Sequence, residues 1–242
     1  MKNMSGTPKK LILIRHAESE KNKAANDALF TEDPSGLESL SKIPDHKINL
    51  TNAGILQARE TSKHLKELIG TPDVLFHSGY QRTRQTTTEL LTAYENNSIP
   101  IKEHLSLRER ESGYTHVLLE ADKNLYFPYI QHYWDIVGGL FARPVGGESL
   151  MDVIEQRLKP FLKELYTTYE DKTVVLVTHG RIIQCFRFIL DEMTWEEMEE
   201  FLKGKNAPKN ASVTIYTKNE DSGKLTLEAW NNVLWTLSDS NR

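Results

Sequence analysis

A lone cysteine, Cys185, is all the thiol that this chain of 242 residues holds. No disulfide can form within it, and nothing points to an oxidising compartment. Long apolar runs are missing as well. The stretch 11–14 (LILI) is interrupted at once by Arg15 and His16, where a secretory segment needs a longer run and a membrane span a far longer one. Positive charge is not in excess either. Thirty Lys and Arg against 34 Asp and Glu leave a formal charge of -4, which argues against a general nucleic-acid binder while leaving room for a local basic pocket. Internal repeats and low-complexity linkers are absent. These absences lead to the expectation of a soluble cytoplasmic protein with no membrane or nucleic-acid partner. The oligomeric state stays open.

What is present suits a sizeable core, since 38% of the residues are hydrophobic. The runs 11–14 and 174–177 are short, apolar and rich in β-branched residues, as strands buried on both faces are. Residues 74–76 and 213–216 are further strand candidates, and 225–230 alternates as an edge or half-covered strand does. Helical spacing lies between them. Thr51 reads as the cap of a helix to about Leu68, ended by Gly70 and Pro72. Residues 83–94, a segment capped by Ser149, 181–190 and a capping-box segment from Thr194 to Glu197 supply the others. Pro160 predicts a kink or local break in the segment that follows Ser149. The order implies an α/β fold, a mostly parallel central sheet covered by helices on both faces. We expect one domain over 1–242. Residues 23–49 and 111–147 show no clean period and read as insertions, the second forming a lid region.

Both buried runs lead straight into a histidine, 11–14 into Arg15-His16 and 174–177 into Thr178-His179-Gly180. Ligands of open α/β sheets bind outside the carboxyl ends of the strands, so the two histidines are candidates for one pocket. The alternatives are unrelated structural histidines in loops or a metal site, the second weakened because Arg15 and Arg181 would repel a dication. Histidines among arginines suit a dianionic phosphate.

The segment Arg15-His16-Ala17-Glu18-Ser19, with Asn22 beyond it, resembles the signature of the histidine phosphatase superfamily, also called phosphoglycerate-mutase-like. The resemblance continues in order through Leu50-Thr51-Asn52-Ala53-Gly54, the stretch 78–86 (SGYQRTRQT) and Leu107-Arg108-Glu109-Arg110 with Gly113. Gly147-Glu148-Ser149 and Val177-Thr178-His179-Gly180 complete it. Pro44-Asp45-His46-Lys47-Ile48 and Phe141-Ala142-Arg143-Pro144 are similar to a branch of plant and fungal phosphoglycerate-mutase-like proteins of poorly defined substrate.

The resemblance implies roles. His16 takes the phosphoryl group, because a neutral imidazole nitrogen attacks phosphorus and leaves again readily. Arg15, Arg82 and Asn22 hold the equatorial oxygens, His179 stabilises the same charge, and Gly180 lets the backbone approach it. Glu109 protonates the leaving oxygen and later takes a proton from water; as a surface ion-pair residue it would do neither. Glu18 is expected to pair with an arginine in a supporting role. Ala17 stands where the family often has glycine, which would strain the backbone if φ were positive there.

No metal or cofactor is expected, since the arginines supply the charge a metal would bring. The reading is a phosphomonoester hydrolase for a small phosphorylated substrate. A mutase and a non-catalytic phosphate-binding protein are the alternatives. The mutase reading is weakened because residues 114–142 carry Lys123 but no arginine. They offer Tyr114, Tyr126, Phe127, Tyr129, Tyr133, Trp134 and Phe141 instead, which read as lid packing or as the walls of a pocket for an organic group. Trp195, Trp230 and Trp235 fit either a core or an interface.

Overall fold

The computed structural model describes residues 6–31, 35–94, 99–116, 125–204 and 206–236. Its strands are β1 (Lys10–Arg15), β2 (Val74–His77), β3 (Ile101–Glu103), β4 (Thr173–Thr178), β5 (Val213–Lys218) and β6 (Leu225–Asn232). They form one sheet in the order β3-β2-β4-β1-β5-β6. The first four positions pair in parallel, and β5 and β6 close the other side as antiparallel strands. The mostly parallel α/β fold is therefore as expected.

Side chains of a strand alternate between its faces, and both faces of the central strands are apolar here. Leu11, Leu13, Val174 and Leu176 enter one core, and Ile12, Ile14, Val175 and Val177 enter the other. A helix over 150–168 (α6) and a helix Gly180–Leu190 (α7) cover the first face with Leu158, Phe161, Leu165, Ile182 and Phe186. Leu65 and Leu90, from the helices Asn52–Ile69 (α3) and Gln81–Leu90 (α4), cover the second. Each such aliphatic side chain contributes about 1.5–3 kcal/mol when fully buried.

The helix ends follow the sequence signals. Thr51 accepts the Gly54 amide at 2.9 Å to cap α3, and Gly70 ends it with φ of 68°. Ser149 with Asp152, and Thr194 with Glu197, make capping boxes at α6 and at the helix Trp195–Lys203 (α8). Pro160 does not break α6. The turns before it, Val153–Leu158, widen into a π-helix, which accommodates the ring and the missing N–H.

The two aperiodic stretches hold more regular structure than their sequences suggest. Helices Glu20–Thr31 (α1) and Ser35–Ser41 (α2) and a single turn, Asp45–Lys47, fill the first. None of the α2 residues is buried, so no apolar stripe marks it. In the second lies the helix Ile130–Val137 (α5), which also buries none of its residues. No described helix is long and apolar enough to cross a membrane.

Candidate active site

The parallel register pairs Arg15 with Thr178 and His77 with Val177. His16, Ser78 and His179 therefore leave three neighbouring strands at their carboxyl ends, His16 level with His179 and Ser78 one residue behind them.

His16 is 4% exposed, and its Nδ1 lies 2.8 Å from the Ala17 carbonyl. A carbonyl oxygen only accepts, so Nδ1 carries the hydrogen and Nε2 keeps its lone pair. Burial, then the charges of Arg82 and Arg15, hold the His16 pKa well below 6.5, leaving the ring neutral at neutral pH. Ala17 donates its own N–H to Thr86 Oγ1 at 3.0 Å. It is not among the residues of positive φ, so alanine sits there without backbone strain.

His179 is fully buried and meets His16 edge-on, with ring centroids 5.2 Å apart. Arg82 NH2 lies 3.3 Å from its Nδ1, and Ser78 Oγ lies 2.9 Å from its Nε2. Because a guanidinium only donates, Nδ1 accepts and Nε2–H donates to Ser78. The relay runs on: Ser78 donates to Thr83 Oγ1 at 2.9 Å, and Thr83 donates to the Tyr80 carbonyl at 2.8 Å. Burial first, and Arg82 second, depress the His179 pKa well below 6.5.

Arg15 is tied by NH1 to the Pro208 carbonyl at 2.6 Å, and its Nε is buried without a partner among the described residues. An unpaired buried donor costs about 1–3 kcal/mol, which an anion in the pocket would relieve. Arg82, 4% exposed, donates to the Asp45 carbonyl at 2.7 Å and to Asp45 Oδ2 at 2.9 Å. Asn22 turns its amide oxygen toward Ser19 and Asn210, the second at 3.0 Å. Gly180 opens α7 beside Arg15. A Cβ there would lie 3.6 Å from Arg15 Nε, an ordinary contact, so no neighbouring protein atom demands glycine. The expected Glu18–arginine pair is not found among the described residues. Glu18 Oε1 instead accepts from Thr51, the cap of α3, at 2.7 Å, so its support goes to that helix.

Glu109 is half-buried and makes no ion pair among the described residues, its Oε1 accepting only the Arg110 amide at 2.9 Å. Its charge raises the pKa of Arg15, which burial lowers. Two groups hold its loop. Thr178 Oγ1 donates to the Leu107 carbonyl at 2.6 Å, and Arg157 donates to the carbonyls of Ser106 and Arg108 while pairing with Glu148 at 2.7 Å. Arg110 is desolvated beside Arg181, a neighbour that lowers its pKa further, and lies 5.6 Å from the Trp134 ring.

The lid aromatics are not packed as a core. Tyr114, Tyr126 and Tyr129 are largely exposed, Tyr129 at 79%, while Trp134 is half-buried beneath Arg110. Lys123 lies outside the described residues. A cavity of about 690 Å³ opens beside Tyr80, lined by His46, Lys47, Arg84, Arg108 and Glu111. Another, of about 720 Å³, lies around Tyr166, Leu190 and Leu225 and touches none of the histidine-site residues.

Sequence reasoning missed Asp45, Ser78, Arg157, Thr178 and Asn210. Asp45 and Ser78 lie inside segments it singled out, whereas Asn210, which donates to the His16 carbonyl at 3.1 Å, lies in no motif.

The sequence profile of the histidine phosphatase superfamily (branch 1) matches residues 11–233. The phosphoglycerate mutase-like protein AT74 of Arabidopsis thaliana is 30% identical over 228 residues, covering 86% of this chain and 64% of that one. This chain thus spans less than two thirds of that relative. A 2,3-bisphosphoglycerate-dependent phosphoglycerate mutase of Rhodopseudomonas palustris is 28% identical, with 89% and 95% covered. A 5''-phosphoribostamycin phosphatase of Niallia circulans is also 28% identical, with 92% and 96% covered. Among solved structures, a mycobacterial glucosyl-3-phosphoglycerate phosphatase with inorganic phosphate superposes with a TM-score of 0.70 at 21% identity, over 94% of this chain and all of that one.

Proposed function

This chain belongs to the histidine phosphatase superfamily, and on that premise we propose that it hydrolyses the phosphomonoester of a small metabolite through a phosphohistidine at His16. The observation that carries the reading is the state of His16: neutral, fixed by Nδ1–H on the Ala17 carbonyl, with Nε2 unprotonated.

In the first step Nε2 of His16 attacks phosphorus, and the bond from phosphorus to the ester oxygen breaks. Glu109 gives its proton to the departing oxygen. Arg15, Arg82 and Asn22 hold the equatorial oxygens and His179 stabilises them, donors of a kind commonly contributing about 3–4 kcal/mol each to the barrier. Gly180, at the amino end of α7, adds the dipole of that helix. In the second step Glu109 takes a proton from water, the oxygen attacks the phosphohistidine, and phosphate leaves from a restored His16.

Hydrolysis is preferred to a mutase reaction because residues 114–142 hold no arginine to clamp a second phosphate. The likeness to a phosphoglycerate mutase and to a 5''-phosphoribostamycin phosphatase, at equal identity, leaves both chemistries within the family. The cavity beside Tyr80 supports an organic group beyond the phosphate, being within the range of small-molecule sites. The proposed setting is the cytoplasm, with the buried Cys185 reduced.

A panel of phosphorylated metabolites, assayed for phosphate release with His16→Ala as the blank, tests the proposal. Release that depends on His16 and survives EDTA supports a metal-independent phosphatase. Interconversion of 2- and 3-phosphoglycerate without phosphate release would make the chain a mutase. No turnover and no phosphoenzyme would make it a binding protein.

A further inference from the structure

The geometry points to Asp45 as the positioning residue for the phosphate clamp, an aspartate that locks the Arg82 guanidinium from behind and keeps its edge beside His179 turned to the phosphoryl group. This inference rests on the proposed phosphatase reading and deepens it.

A guanidinium carries five N–H donors in one plane. Asp45 takes one from each terminal nitrogen of Arg82, through its carbonyl at 2.7 Å and its Oδ2 at 2.9 Å. These two bonds fix the rotation of the group within its plane. The Tyr80 ring, 4.8 Å from the guanidinium carbon, fixes its tilt. What remains is the edge on the side of His179, where NH2 lies 3.3 Å from Nδ1. The other Asp45 oxygen is held by Lys21 of α1 at 3.2 Å. Asp45 thus joins the helix that follows the His16 loop to the arginine at the start of α4. The pair is well screened from water, with side-chain exposures of 5% for Arg82 and 21% for Asp45.

An arginine on an unanchored side chain samples many rotamers, and a clamp displaced by about 1 Å loses on the order of a hundredfold in rate. The turn Asp45–Lys47 supplies the anchor from a stretch with no role in the mechanism described above.

The test uses the full chain, an aryl phosphate as substrate and vanadate as a phosphoryl-state probe. Asp45→Asn should lower kcat/KM about tenfold and Asp45→Ala about a hundredfold, and both should weaken vanadate binding. In an Arg82→Ala background, Asp45→Asn should cost little more, because the two residues act as one unit. Should Asp45→Ala fail to fold, the Asn variant carries the same comparison. Unchanged kinetics, equal losses with and without Arg82, or tighter vanadate binding would each overturn the assignment; the last would mean that the carboxylate competes with the phosphoryl group. An inactive wild-type chain would instead remove the phosphatase reading itself.

Discussion

His16 and His179 end paired parallel strands and meet edge-on, their ring centroids 5.2 Å apart and their planes at 63°. Both are buried beside Arg82, and both are held neutral by the same two causes, lost hydration and the nearby guanidinium.

Stability should therefore fall on acidification, starting near the ordinary histidine value. Below pH 6.5 the unfolded chain takes up protons at these positions while the folded chain does not, so the contribution is complete above 6.5 and is lost as pH falls toward the depressed folded values. Each histidine adds a slope of up to about 1.4 kcal/mol per pH unit. Urea unfolding between about pH 7.5 and 5.5 should show a shallower slope in His179→Asn than in the wild type. Parallel slopes would contradict the burial of a neutral imidazole there.

Phosphoryl binding should draw a proton onto His179. Its Nε2–H is committed to Ser78 and its Nδ1 has no hydrogen, so only the imidazolium can donate to an oxyanion from that side. Calorimetry of vanadate binding in buffers of differing ionisation enthalpy should give an uptake approaching one proton, absent in His179→Asn. Zero uptake in the wild type would place the oxyanion elsewhere.

Loss of the Glu109 proton should matter most for poor leaving groups. Glu109→Gln should slow hydrolysis of alkyl phosphates by about 10²–10⁴-fold, the range of a general acid, and that of nitrophenyl phosphate much less in the phosphorylation step. An equal loss on every ester would identify Glu109 as a structural residue.

Arg157 should carry both stability and activity. It holds the carbonyls of Ser106 and Arg108 and pairs with Glu148, so Arg157→Ala leaves a carboxylate and two carbonyls without it. We expect a loss of about 3–5 kcal/mol by denaturant titration and a lower kcat through the displaced Glu109 loop. A change below about 1 kcal/mol, the value of an exposed pair, would mean the loop holds itself.

The parts of this fold that were legible in the sequence are those that bury apolar side chains in a period. Leu11, Leu13, Val174 and Leu176 announce two-faced strands, and Thr51, Ser149 and Thr194 announce helix starts by capping. β3 is an exposed edge of three residues and α2 buries nothing, so neither leaves a pattern. Within the candidate site, His16, Arg15, Arg82 and His179 could be picked out as neighbours because each stands in a motif that ends a strand or opens a helix. The groups that hold them could not. Asp45 reaches Arg82 across 37 positions and Arg157 reaches Arg108 across 49, separations that only the folded chain closes. The exposed lid aromatics escaped for the opposite reason: Tyr129 has the composition of a core and the surroundings of a surface.

Everything proposed turns on His16 as the phosphoryl acceptor. The most direct measurement is rapid quenching of the chain during turnover of a phosphomonoester, followed by mass spectrometry of the His16 peptide under alkaline conditions. The account predicts one acid-labile phosphoryl group on His16, formed at a rate no slower than turnover and absent from His16→Ala. Turnover that proceeds with no phosphorylated His16, or that persists in His16→Ala, would contradict it.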